Sequence, residues 1–219
     1  GLSLSVRPGQ RVAVIGPSGA GKSSLMALLC RLRDPDLGRV RIDGHDLADL
    51  TLESLRRQIS IVLQESVLFA STIRDNIALG SPERVTDEQI EAAARLAGAH
   101  EFICGLPDGY DTVVGERGAT LSGGQRQRIA IARAAIRDAP IVILDEALTG
   151  LDAETAGEVG AALDRLTAGR TTFVITHDVS AATGCDLVVR LEGGRVQACG
   201  SPDEVLPEVT RLTSARTAR

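Results

Sequence analysis

The residues best placed by type and spacing to do chemistry are Gly16-Pro17-Ser18-Gly19-Ala20-Gly21-Lys22-Ser23. This run fits G-x-x-x-x-G-K-[ST]. It follows an apolar strand pattern at Arg11–Ile15 and opens a helix pattern at Lys22, the context such a loop requires. Glycines at these positions let backbone N–H groups turn inward around phosphate oxygens, and a helix N-terminus adds partial positive charge. Gly16–Ser24 therefore reads as a cradle for a nucleoside triphosphate. Lys22 would reach the β- and γ-phosphates, and the Ser23 hydroxyl would ligate Mg²⁺. Lys22 is the single lysine among 24 basic residues, the others being arginine. A compact point charge is kept where a planar guanidinium stands everywhere else.

A second acidic element supports this reading. Ile141-Val142-Ile143-Leu144 runs directly into Asp145-Glu146. A buried parallel strand that ends in carboxylates places them at the sheet edge where open α/β folds bind ligands. Asp145 is the candidate for the magnesium shell, and Glu146 the candidate general base for an attacking water. A third element, Leu121-Ser122-Gly123-Gly124-Gln125, precedes a helix pattern that runs to about Arg137, and by itself it reads as a helix start.

The elements that must hold these residues alternate in type. Leu2–Arg7 alternates apolar and polar residues and predicts a half-buried strand, and Asp43-Gly44 sits between two short strand patterns as a hairpin turn. Ser60–Leu63 predicts another buried strand. From Thr86 to about Gly98, Ile90, Ala93, Ala94 and Ala97 recur at helical spacing, with Asp87 and Glu88 in the first turn. The α/β pattern then returns, with strands at Ile141–Leu144 and Thr171–Ile175 around a helix at about Ala153–Leu166. Strands at Asp186–Leu191 and Arg195–Cys199 flank a hairpin turn at Glu192-Gly193-Gly194.

Composition narrows the function. The 219 residues are 43% hydrophobic and 24% charged, which is ordinary for a packed domain. A net charge of −5 and 2% aromatic residues argue against a nucleic-acid partner. No apolar run approaches the roughly 18 residues of a membrane span. Cys30, Cys104, Cys185 and Cys199 form no C-x-x-C pair, which predicts buried thiols in a reducing compartment rather than a zinc site. The chain opens at Gly1 on a strand-like pattern with no signal peptide, and is read as a piece of a longer protein.

Taken together, the motifs resemble the nucleotide-binding domain of ATP-binding cassette (ABC) transporters. Leu121–Gln125 is similar to that family's LSGGQ signature and stands in the right place before Asp145-Glu146. The resemblance spans Gly1 to about Leu206. It implies that Gln64 is the glutamine that touches the magnesium shell and senses a membrane domain. It implies that Leu151-Asp152 ends the D-loop and that His177 is the switch histidine at the γ-phosphate. The implied fold is α/β: a phosphate-loop core sheet with an antiparallel β-subdomain and an inserted helical subdomain. The core would take residues 1–65 and 139–206, the helical subdomain about 66–138, and a loose polar tail 207–219. The implied partner is a second nucleotide-binding domain, the same or different, docked head to tail. Leu121–Gln125 of one copy would then face the ATP held by the other, and the implied cofactors are ATP and Mg²⁺.

Val114-Gly115-Glu116-Arg117-Gly118 resembles the X-loop of exporters with fused membrane domains, and Leu68–Ile77 is likewise similar to that branch. The resemblance thus implies an ATPase driving export, with a transmembrane domain fused upstream and the domain itself on the cytoplasmic face of a membrane, by expectation a bacterial inner membrane. A soluble ABC ATPase acting on DNA or ribosomes, and an ATP-binding regulatory domain without turnover, are the alternatives. The family's adenine-stacking aromatic would lie upstream of Gly1. Gly150 departs from the small residue, commonly alanine, of exporter D-loops.

Overall fold

The computed structural model describes residues 2–115 and 120–207. In chain order the elements are β1 (Arg11–Ile15), α1 (Lys22–Leu29), β2 (Arg41–Ile42), β3 (His45–Asp46), α2 (Leu52–Arg57) and β4 (Ile59–Val62). Then come α3 (Ile73–Ala78), α4 (Asp87–Leu96), α5 (His100–Cys104), α6 (Gly123–Ala135), β5 (Ile141–Asp145) and α7 (Ala153–Thr167). β6 (Thr171–Thr176), β7 (Leu187–Glu192) and β8 (Arg195–Gly200) follow, and residues 202–207 are helical. Residues 116–118 of the X-loop-like run, and the tail beyond 207, lie outside the described residues.

The described residues form two compact units. One falls within Gly1–Ile59, Ile141–Glu146 and Gly169–Arg219, the other within Ser60–Pro140 and Ala147–Ala168. The sequence places the helical part at about 66–138. By contacts, the second unit also takes in residues 60–65 and α7, which packs against α4 and α6.

The first unit is built on a mixed sheet whose strands run in the order β5-β6-β1-β7-β8. β5, β6, β1 and β7 run parallel, and β8 returns antiparallel to β7. Period-two alternation explains why β1 reads as an unbroken apolar run. Val12 and Val14 enter one core with Leu25, Ile143 and Ile175, while Ala13 and Ile15 enter a second core with Val188 and Val205. β2 and β3 pair as a separate two-stranded ladder whose turn takes Asp43 at φ 50 and Gly44 at φ 83. Two positive φ values favour the Asp-Gly pair found there.

Two sequence expectations fail here. Leu2–Arg7 forms no strand. Leu4 and Val6 pack partly buried against the first core, so one-sided burial produces the alternation without a ladder. Cys30 and Cys185 are buried as expected, but Cys104 and Cys199 are exposed. Cys199 sits on β8, an outer strand whose residues alternate between exposed and half-buried, and a small apolar residue there need not face the core.

In the second unit, α6 is the centre and packs against α3, α4 and α7. Thr86 starts α4 with a capping box closed by Gln89, as the acidic first turn and apolar spacing predict. Among the described residues, no helix is long and apolar enough to cross a membrane.

Candidate functional site

Register aligns the first unit's chemistry. Ile15 at the end of β1 pairs with Thr176 of β6, and Asp145 at the end of β5 pairs with Ile175. The phosphate loop, Asp145-Glu146 and His177 therefore leave the sheet at one edge, the carboxyl ends of three adjacent parallel strands.

The loop after β1 has a close approach that only glycine allows. A β-carbon on Gly16 would lie 2.3 Å from the Leu191 carbonyl oxygen. Pro17, Ser18 and Gly19 are exposed and Ala20 is buried beneath them. Gly21 caps α1 at φ 104 without a side-chain bond, so the leading N–H groups of the helix carry no side-chain cap. Ser23 and Ser24 are exposed in that first turn. Lys22 is 8% exposed, and its Nζ donates to the carbonyls of Gly16 at 2.7 Å and Pro17 at 3.2 Å. The loop thus bends around its own ammonium group.

Asp145 is half-buried at the end of β5. Burial, then the neighbouring Glu146 charge, push its carboxyl above the usual range, and Lys22 offsets part of that. Such a carboxylate gains from a nearby cation. Glu146 takes the left-handed conformation, φ 49, and its N–H donates to the Ile175 carbonyl at 2.9 Å. A non-glycine residue held there is strained, and such strain clusters at functional sites. The turn brings Glu146 Oε1 to 3.1 Å from His177 Nδ1. Asp178 follows, accepting from the Ser180 N–H and hydroxyl at 2.8 and 2.7 Å, and these bonds hold its carboxyl below the usual range.

The second unit carries the other candidates. Gln64 lies exposed just beyond β4. Leu121 is buried and anchors the signature turn. Ser122 caps α6 in a capping box: its hydroxyl accepts from the Gln125 N–H at 3.2 Å, and Gln125 Oε1 accepts from the Ser122 N–H at 2.9 Å. Both polar side chains of the signature are thus engaged in building the helix start, and Gly123 is exposed in its first turn. Gly124 is buried against Thr155. Leu151 is half-buried, and Asp152 caps α7 by accepting from the Thr155 N–H and hydroxyl at 3.0 and 2.7 Å. Those bonds hold the Asp152 carboxyl low.

Sequence reasoning missed Thr155 and Gln127. Gln127 is buried and bonded to both the Leu63 and Ala147 carbonyls. A signal existed: Gly124, Gln127, Ile131 and Ala134 share the buried face of α6, and a glutamine on such a face needs partners.

A family model described as "ABC transporter" matches residues 1–149. An ATP-dependent lipid A-core flippase of Alkalilimnicola ehrlichii is 52% identical over 205 residues, covering 94% of this chain and 35% of that protein. The cyclolysin secretion/processing ATP-binding protein CyaB of Bordetella pertussis is 51% identical over 205 residues, covering 94% of this chain and 29% of its own length. A solved bacterial Atm1-family ABC exporter with ATP bound aligns at a TM-score of 0.90 and 43% identity, over 100% of this chain and 38% of that one. The chain spans about a third of the length of the curated relatives it matches. The chain belongs to the ABC transporter family, as one of its ATPase domains.

Proposed function

We propose that this domain binds ATP at Gly16–Ser24 and hydrolyses it to drive export across a membrane. The observation that carries the reading is the convergence of the phosphate loop, Asp145, Glu146 and His177 at the ends of adjacent parallel strands. Exporter names among the relatives favour this reading over a soluble or a regulatory ATPase.

Mg²⁺ fits the donors present. Ser23 and Asp145 offer hard oxygens, Gln64 is the further proposed ligand, and such an ion keeps most of its shell for water and phosphate rather than a protein cage. Among the described residues, no cluster of three or more His, Cys, Asp or Glu could form such a cage. When bound, the ion would neutralise charge on the phosphate oxygens. Lys22 leaves its loop carbonyls for the β- and γ-phosphates, and the uncapped start of α1 receives phosphate oxygens. Glu146 takes a proton from the attacking water. His177 holds Glu146 in place and contacts the γ-phosphate.

Leu121–Gln125 is proposed to complete the site of a second nucleotide-binding domain, in a homo- or heterodimer closed by ATP. The proposed setting is the cytoplasmic face of a membrane, with the transmembrane domain on the same chain. Specific ATPase activity in Mg²⁺ that rises with protein concentration, and is lost in Glu146→Gln, would support a composite site. ATP binding without turnover at any concentration would count against it, and intact protein that turns over ATP in vesicles yet moves no solute or lipid would count against export.

A further inference from the structure

Gln127 has no part in the reading above, yet it is bonded at every polar position. It is 3% exposed on the inner face of α6. Its Nε2 donates to the Ala147 carbonyl at 3.0 Å and to the Leu63 carbonyl at 3.3 Å. Its Oε1 accepts from the Ser66 hydroxyl. A buried amide this well satisfied fixes direction as well as position, because each lost bond leaves a desolvated group behind.

The partners lie beside the proposed machinery. Leu63 and Ser66 flank Gln64. Ala147 follows Glu146 in the chain and opens the segment that ends at Asp152. Gln127 itself rides on the helix whose first turn is the signature. The same three segments enclose a cleft of about 350 Å³ lined by Gln64, Gly123, Gln127, Thr149 and Leu151.

We propose that Gln127 is a positioning residue of the ATPase: its amide holds the Gln64 turn and the Ala147–Asp152 segment in register with the signature helix. The inference rests on the ATPase reading. An apolar side chain of similar size would fill the same space but could not set that register.

The test uses the intact protein with Gln127→Leu, Gln127→Glu and Ser66→Ala. It reads kcat, KM for ATP, melting temperature and hydrogen exchange across residues 63–66 and 147–151. Gln127→Leu should lower kcat about 10- to 100-fold, as small misplacements do, while KM stays within about two-fold. Gln127→Glu should do no better, since a carboxylate cannot donate to two carbonyls. Ser66→Ala removes one bond of three and should give a smaller drop of the same kind. Exchange should quicken in both segments and not elsewhere. A lower melting temperature with unchanged kcat per folded molecule would make Gln127 a packing residue and overturn the inference. So would a raised KM at constant kcat. Should both Gln127 variants misfold, Ser66→Ala decides by the same criteria. A wild type without turnover overturns the ATPase reading and this inference with it, whereas variants that match an active wild type overturn this inference alone.

Discussion

Gly124 of the signature turn packs so closely on Thr155 that a β-carbon at Gly124 would lie 2.2 Å from the threonine methyl. The methyl cannot swing away freely. Thr155 is β-branched, and its hydroxyl is held by Asp152 at 2.7 Å. Gly124→Ala therefore overpacks this contact, at a cost of about 1–3 kcal/mol. That outweighs the roughly 1 kcal/mol alanine would bring to an open helix position. Adding Thr155→Ser removes the methyl and keeps the hydroxyl, leaving the next nearest threonine atom, Cβ, at 3.6 Å from the new carbon. The double variant should recover the melting temperature lost in Gly124→Ala and part of its ATPase rate. No recovery would mean that Gly124 is needed for another reason than room.

The backbone at Glu146 leads to a second prediction. At φ 49, a glutamate is less favourable than an asparagine, whose short polar side chain tolerates this region. Glu146→Asn should raise stability by up to about 1 kcal/mol, read as a higher denaturant midpoint at constant slope. It should also lose turnover by about 10²–10⁴-fold, because the proposed base is gone. Glu146→Gln should lose turnover as far without that gain. Equal midpoints in the two variants would show that the turn stores no strain.

Asp178 gives a pH dependence. Its bonds from Ser180 lower its carboxyl in the folded state. The stability it contributes is present above the ordinary carboxylate value of about 3.9. It is lost as pH falls through the lower native value. Ser180→Ala removes the hydroxyl bond and part of that contribution. The melting temperatures of wild type and Ser180→Ala should differ most at pH 5 and above, and converge on acidification below about pH 4. A gap that stays constant to low pH would mean the lost bond does not depend on the carboxylate's charge.

What is legible in the sequence is what local order fixes. The phosphate loop needs its glycines and lysine in succession, and the Asp145-Glu146 pair needs a strand immediately before it. Helix starts at Thr86 and at Ser122 or one of the glycines after it are likewise readable, because a cap depends on a few adjacent residues. What stayed hidden depends on residues distant in the chain. Nothing local to Gly124 tells that Thr155 fills its space, or that Gln127 will meet Leu63 and Ala147. Nor does the type of residue 146 disclose a left-handed backbone. Leu2–Arg7 misled for the converse reason, since alternation records which side is buried, not whether a neighbouring strand is present.

Arg133 shows how the second unit fixes the loop that precedes α3. Its Nε donates to the Asn76 carbonyl and its Nη2 to Asn76 Oδ1, both at 2.8 Å, and its Nη1 reaches the Val67 carbonyl at 2.9 Å. Asn76, fully buried, returns its amide to the carbonyls of Phe69 and Thr72 at 2.9 and 3.0 Å. The guanidinium also lies 5.6 Å from the centre of the Phe69 ring. Burial lowers the arginine's pKa, so this charge is held at a cost that its three bonds must offset. The fork is specific to arginine, because a lysine ammonium is a point charge on a flexible stem and does not present the rigid planar set of donors that serves these three acceptors. Arg133→Lys should therefore destabilise nearly as much as Arg133→Met, by about 2–4 kcal/mol in each case. It should also speed hydrogen exchange across residues 67–76 before the rest of the unit. If Arg133→Lys kept wild-type stability and protection, charge alone would hold the loop, and the fork would be incidental.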